Sequence, residues 1–497
     1  MLKTIFRNIE EQKERNAFCI GKQYYTYGDL GGCVARIRGL IRKRYPSSVQ
    51  NRVGIFTGDN LETYAAILAL WAERQIFIPL NPSNPVERNK NIIGQAGIEL
   101  LLFPDVFPAG YEHVAESLSL SDFDAGDVPW GNMVDHPEDI LYILFTSGST
   151  GTPKGVQISV RNLSSFVLNF IAAGYDFSPE DRFLQIYDLT FDASVHCYSV
   201  PLTVGACVYT VPQNEIKFLY AYKLMSEYKL TFVKMPPSTL VYLKPWFSRI
   251  MLPELRYCLL GGEACYENIV REWQHCVPNA QIQNVYGPTE ATINCTKFNY
   301  DGKDDADVFN GIVSIGRPFG ENNCVILNSE NKEVKRGDQG ELCVAGSQIT
   351  PGYLNNPEKN REAFITFGKD KGREVRYYRT GDLVFENNRG NLMYLGRIDN
   401  QVQIDGYRVE LGEIESCVVK FTGKNVFAFA KNDPRGKPQI CVAVAGYEGD
   451  TSQIMRHLEK ELPRYMIPQK ILNPEKFPHT PGGKIDTGKL KKMFTDE

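Results

Sequence analysis

Between Asn51 and Gly148 three short β-rich runs, NRVGIFTG, ELLLF and DILYILFTSG, are separated by stretches of helical spacing such as NLETYAAILALWAER. Short, mostly apolar strands alternating with helices predict a sheet covered on its faces, the α/β class. The pattern continues through RFLQIYDLTFDAS, VGACVYTVP, KLTFVKMPPS, LRYCLLGGEA and AQIQNVYG, with helices expected over IKFLYAYKLMSEY and YENIVREWQHCVP. TYGDLGGCVARIRGLIRKRYP, earlier, begins on a threonine suited to cap a helix. From Gly340 to Tyr394 the texture turns to strands and turns, and ENNRG marks a hairpin. After GRIDNQ come a helical LGEIESCVVKFTG, a hairpin-like VFAFAKNDPRGKPQICVAVAG and a helical TSQIMRHLEKELPRYMIP, a small α+β unit. At 497 residues the chain exceeds one ordinary core. Two domains are expected, 1–398 and 399–497, with a hinge near Asp399.

Charge narrows the partners. Lys+Arg 55 against Asp+Glu 59 gives a net charge of −4, which offers no field for nucleic acid or an anionic membrane. The 12 cysteines stand singly, without a CxxC pair, and form no metal pattern with the 6 histidines. A reduced, cytoplasmic chain without structural zinc follows from that usage. The start, MLKTIFRNIEEQKERNAF, is too charged for a signal peptide, and no apolar run approaches a membrane span. No nucleic-acid or membrane partner is expected, and a monomer is.

Several stretches are suited to chemistry. LFTSGSTGTPKG, Leu144 to Gly155, crowds glycines, hydroxyls and Lys154 after a strand, as a phosphate-holding turn requires. Its spacing is not GxxxxGK[ST], so an ordinary P-loop fits poorly. YGPTEAT sets Thr289 and Glu290 after a turn, a hydroxyl and a carboxylate able to hold Mg²⁺ beside a triphosphate. TGDL puts Asp382 where it could take both hydroxyls of a ribose. FDAS places Asp192 in a mostly apolar run, either capping a helix or pairing with a ligand ammonium. Lys234 lies among apolar residues near a strand end, either snorkelling to solvent or facing a pocket. Lys484 follows a double glycine in the tail FPHTPGGKIDTGKLKK.

Taken together and in order, LFTSGSTGTPKG, FDAS, YGPTEAT, GEL, YRTGDL, GRIDNQVQIDGYRVELGEIE and PGGKID resemble the adenylate-forming enzymes over nearly the whole chain. That family comprises the amino-acid-activating domains of nonribosomal peptide synthesis, acyl-CoA synthetases and luciferases. The resemblance implies a large N-terminal domain of layered α/β with a small β-barrel portion, and a small, mobile α+β C-terminal domain. It also implies a two-step reaction. A carboxylate attacks the α-phosphorus of ATP to give an acyl-adenylate and pyrophosphate, and a thiol then expels AMP. Thr146, Ser147, Gly148, Ser149, Thr150, Gly151 and Lys154 match the phosphate loop. Gly261, Gly262, Glu263, Tyr286 and Gly287 match the stretches enclosing adenine and AMP. Thr289 matches a phosphate contact, Glu290 the magnesium ligand, Asp382 the ribose aspartate and Arg397 an arginine near ribose and phosphate. Lys484 matches the lysine that the small domain inserts during adenylation.

FDAS is similar to the amino-acid-activating branch, where the aspartate meets the substrate α-ammonium. The matching side-chain pocket is Asp192, Ala193, His196, Lys234, Leu259, Gly261, Val285, Ile293 and Asn294, with Lys484 on the carboxylate. His196, Lys234 and Asn294 make it polar, so an acidic or amide side chain stands beside a modest neutral one. Two departures matter. Gln403 and Asp405 replace a lysine and a second basic residue common in the family. No carrier-like segment follows before Glu497, so the expected thiol is the phosphopantetheine of a separate carrier protein. The alternatives are a D-alanine–carrier protein ligase and a CoA ligase for a small carboxylic acid.

Overall fold

The computed structural model describes the chain except residues 47–48, 122–135, 149–152, 304–306, 371–372, 400, 434–437, 479–485 and 495–497. Its frame is two large sheets with helices packed between and around them. One has nine strands among the described residues, in the order Arg317–Pro318, Thr296–Tyr300, Gln281–Tyr286, Tyr257–Gly261, Phe232–Met235, Arg182–Gln185, Cys207–Thr210, Asn16–Ile20 and Gln23–Thr26. From Gln281–Tyr286 to Asn16–Ile20 every pairing is parallel. The other has seven, in the order Gly352–Tyr353, Lys154–Ser159, Ile140–Thr146, Ile76–Leu80, Arg52–Phe56, Leu100–Phe103 and Glu116–Ser119. The helices Val160–Ala172 and Asp192–Val204 contribute Phe166, Phe170, Val195 and Tyr198 to one core with Phe232, Leu259, Val285 and Leu144. Asp192–Val204 is buried nearly all round, with every residue from Ser194 to Thr203 inside the layers.

An antiparallel sheet of Asn323–Leu327, Gly340–Ala345, Arg373–Glu386, Phe364–Asp370 and Leu392–Arg397 occupies the stretch whose texture predicts strands and turns. Beyond it lies the smaller C-terminal portion. Strands Val426–Asn432, Pro438–Val444 and Lys470–Leu472 pack with helices Leu411–Thr422 and Thr451–Glu461. Val409, Ile414, Val418, Ile440, Val442, Ile454 and Leu458 form an apolar cluster drawn from this portion alone. The expected last helix, TSQIMRHLEKELPRYMIP, is shorter in the structure. It ends at Glu461, before Pro463, and a 3₁₀ turn follows over Arg464–Met466. Among the described residues no helix is long and apolar enough to cross a membrane.

Strand register sets out the site. Lys234 pairs with Leu259, Leu259 with Gln283, and Gly261 with Val285. Side chains alternate across a sheet, so Phe232, Lys234, Leu259, Gly261 and Val285 share one face. That face looks onto the helix beginning at Asp192. A lysine there cannot snorkel, because helices cover the sheet, and Lys234 is only 2% exposed.

Candidate functional site

Asp192 occupies the first turn of its helix, where the positive end of the helix dipole favours a carboxylate. Thr289 and the Ala193 backbone N–H favour the charged carboxylate, while Oδ2 is buried without a hydrogen-bond partner among the described residues. Burial pushes the Asp192 carboxyl above its usual range, against the pull of Lys234 and of the Thr289 hydrogen bond. Lys234 is the nearby cation, yet its hydrogen-bonding partners are neutral. Its Nζ is 3.4 Å from His196 Nδ1. With the Asn294 amide turned so that its oxygen faces the ammonium, that oxygen accepts from Lys234 at 3.1 Å and its nitrogen donates to the Ile293 carbonyl at 2.8 Å. Burial pushes Lys234 down to about 8, opposed by Cys197 and Asp192. His196 is held well below the usual imidazole range, by burial first and then by Lys234. Its ring lies against Phe166, Phe170 and Phe232, so it acts as a neutral acceptor toward Lys234. Ala193, Leu259, Gly261, Val285, Ile293 and Asn294 lie on this face or in the loop closing it. The result is a carboxylate and an ammonium in one site, each lacking a full charge partner.

A second group adjoins it. A cavity of about 90 Å³ is lined by Gly262, Glu263, Tyr286, Gly287, Asp382 and Arg397, with Asn284, Tyr394, Gln403 and Arg408. It brings together the residues expected around adenine and ribose, from stretches more than a hundred positions apart. Tyr286 donates to Asp382 Oδ2 at 2.5 Å and Arg397 Nη1 to Oδ1 at 2.9 Å. The Glu263 carboxylate is taken by two backbone donors, Ser238 N at 2.8 Å and Gly406 N at 2.6 Å. Its contribution to the cavity wall is therefore its backbone and stem. Gln403, the neutral residue where the family commonly has lysine, lines this cavity and its neighbour of about 290 Å³. Its buried Oε1 has no partner among the described residues. Gly287 makes the fit possible. A Cβ there would lie 2.6 Å from Asn294 Cα and 2.8 Å from the Ile293 carbonyl oxygen. Gly287→Ala is expected to lower the unfolding free energy by about 2–3 kcal/mol, read as a lower denaturant midpoint.

At the phosphate loop the structure supplies residues that motif reading did not single out. Ser149, Thr150 and Gly151 lie outside the described residues, as does Lys484. Of the rest, Thr146 Oγ1 is buried without a partner among the described residues. Ser147 Oγ donates to the Arg408 carbonyl at 2.9 Å and accepts from Glu410 N at 3.1 Å. Gly148 N donates to Glu413 at 3.4 Å, and Lys154 pairs with Glu410 at 3.3 Å. Arg408 meets Glu290 Oε2 at 3.0 Å, and Tyr353 donates to Oε1 at 2.7 Å. Arg88 closes the network on Glu413 at 2.6 Å. Burial opposes the charge on the fully buried Glu290, but Arg408 and Lys154 outweigh it and hold the carboxyl down at about 2. Arg408, Glu410 and Glu413 all lie in GYRVELGEIE. The one sequence signal for them is charged residues recurring every two or three positions among apolar ones.

The chain resembles known proteins along its whole length. The family model described as AMP-binding enzyme matches residues 5–354. A linear gramicidin synthase of Brevibacillus parabrevis is 32% identical over 492 residues, covering 96% of this chain and 9% of its own length. Tyrocidine synthase 2 of the same organism is 30% identical, covering 98% of this chain and 13% of its own. The chain thus spans only about a tenth of the length of these relatives. Among solved structures, the Vibrio cholerae adenylation domain AlmE in complex with glycyl-adenosine-5'-phosphate superposes with a TM-score of 0.89 at 25% identity, covering 100% of this chain and 97% of that one. PA1221, a nonribosomal peptide synthetase protein containing adenylation and PCP domains, shares the fold, with a TM-score of 0.87 at 22% identity over 99% of this chain and 84% of that one.

Proposed function

The chain belongs to the AMP-binding enzyme family, as an adenylation domain of the nonribosomal-peptide-synthetase type, and we propose that it activates an amino acid with a polar or acidic side chain for transfer to a carrier-protein thiol. The observation that carries the amino-acid reading is the Asp192 carboxylate with its buried, unpartnered Oδ2. A fatty or aryl acid offers nothing to satisfy that oxygen, whereas an α-ammonium does. The glycyl-adenylate held by AlmE supports the aminoacyl class without specifying a side chain. Lys234, a buried ammonium whose hydrogen-bonding partners are neutral, supports an anionic or amide side chain at the far end of the site.

In this reading Asp192 orients the ammonium, and the substrate carboxylate oxygen forms a bond to the α-phosphorus of ATP as the bond to pyrophosphate breaks. Asp382 takes the ribose hydroxyls, and Lys154 with the orphaned Thr146 hydroxyl holds the triphosphate. Glu290, a fully buried carboxylate, would hold Mg²⁺ once Arg408 has left its Oε2. When bound, Mg²⁺ supplies positive charge beside the phosphate oxygens. Lys484 is assigned to the substrate carboxylate during this step. A carrier thiol then attacks the acyl carbonyl, and AMP leaves with the bonding electrons.

The network at the phosphate loop bears on the order of these steps. Lys154 and Glu290 are engaged by Glu410 and Arg408, so taking up a magnesium-bound triphosphate requires that segment to withdraw. Movement of residues 399–497 about a hinge near Asp399 accomplishes this in the reading.

The test is an ATP–pyrophosphate exchange panel over the amino acids, D-alanine and small carboxylic acids without an amine. Exchange driven by aspartate, asparagine or glutamate-type substrates is the expected result. Exchange driven only by an amine-free acid refutes the amino-acid reading, and exchange by D-alanine alone favours the D-alanine ligase.

A further inference from the structure

The loop carrying Asn294 into the site has a backbone that its residues disfavour. Thr292 and Ile293 both adopt positive φ, at 54° and 74°. Two successive β-branched residues in the left-handed region are strained, and such strain persists only where the surroundings over-determine it. The surroundings here are largely one side chain. Gln348 is fully buried, and its Nε2 lies 3.2 Å from the Ala291 carbonyl, 3.4 Å from that of Thr292 and 2.8 Å from that of Asn294. Its Oε1 accepts from Asn322 Nδ2 at 2.8 Å, which fixes the amide's orientation. Its own carbonyl accepts from the Thr292 hydroxyl at 2.5 Å. A carboxamide donates to the loop carbonyls through its nitrogen while accepting from Asn322 through its oxygen.

We propose that Gln348 is the positioning residue for substrate side-chain selection, acting through the strained Thr292–Ile293 turn that presents the Asn294 amide to Lys234. The proposal rests on the amino-acid reading above. It adds that selectivity is set partly by a residue in the turn between strands Gly340–Ala345 and Gly352–Tyr353 that touches no substrate.

The test compares Gln348→Met, which keeps volume and removes both polar functions, with the unaltered chain in the exchange assay across acidic, amide and neutral amino acids. Leaving the Ala291 and Asn294 carbonyls without this donor is expected to raise KM for the preferred amino acid about 10- to 100-fold. Preference over neutral side chains should fall by a similar factor, while kcat and the KM for ATP move by less than about threefold. If Gln348→Met does not fold, Asn322→Leu decides. It frees the amide to rotate, and the same loss of preference is expected at about tenfold. A lowered melting temperature with unchanged relative KM values overturns the proposal, because a merely structural residue changes the amount of active protein and not its preference. Absence of amino-acid-dependent exchange in the unaltered chain instead refutes the reading beneath it.

Discussion

Asp192→Ala is expected to lower kcat/KM in amino-acid-dependent exchange by about 10²–10³-fold for every amino acid the protein accepts. Thr289 and the Ala193 N–H favour the charged form of the Asp192 carboxylate, and Oδ2 is buried without a partner among the described residues. An α-ammonium at that oxygen makes a charge-assisted hydrogen bond in a shielded site and draws the raised carboxyl back toward its charged form. Removing the carboxylate leaves the ammonium desolvated with no anion, a loss shared by all α-amino acids. Asp192→Asn keeps the shape and the Thr289 contact while removing the charge, so a loss of comparable size there assigns the effect to charge. The deaminated analogue of the preferred substrate supplies the converse. It is expected to be a poor substrate for the unaltered protein and to lose much less than the amino acid does in Asp192→Ala. Equal sensitivity of amine-bearing and amine-free substrates would remove Asp192 from the amine site.

How much of the site is legible in the sequence depends on whether a feature is local. The strands bearing Lys234, Leu259 and Val285 are short apolar runs, and strand alternation alone puts their side chains on one face. Arg397 ends the strand Leu392–Arg397, whereas Asp382, read from TGDL as a strand start, lies inside Arg373–Glu386, and their pairing follows from these adjacent antiparallel strands. The contacts of Lys154 with Glu410 and of Arg88 with Glu413 join residues far apart in the chain. No periodicity brings such side chains together, and one carboxylate looks like any other until its partner is known. The Thr292–Ile293 turn is hidden for a different reason. Local propensity argues against positive φ at β-branched residues, so the sequence points away from the backbone that Gln348 holds. Thr289 shows how a motif can understate a residue. The resemblance makes it a phosphate contact, and in the structure it also favours the charged form of Asp192.

Lys234→Met is expected to lower kcat/KM for a substrate with a side-chain carboxylate by about 10²-fold or more while changing neutral substrates by less than about tenfold. The lysine is 2% exposed and lies among the neutral acceptors His196 and Asn294 and the apolar Phe232 and Leu259. Methionine fills most of the same space, so the stem's packing survives and the ammonium alone is lost. The pH dependence gives an independent check. Burial pushes Lys234 down to about 8, and only its protonated form attracts a carboxylate. The kcat/KM for an acidic substrate should therefore be highest below pH 8 and fall as pH rises through that value, since kcat/KM reports groups of the free enzyme. A neutral substrate shares every other titration in the site, including that of its α-amine, so the ratio of the two profiles isolates Lys234. In Lys234→Met that ratio should become flat. A ratio already flat in the unaltered protein, or a methionine variant that loses neutral and acidic substrates alike, would mean that the ammonium braces the His196–Asn294 wall and does not meet the side chain.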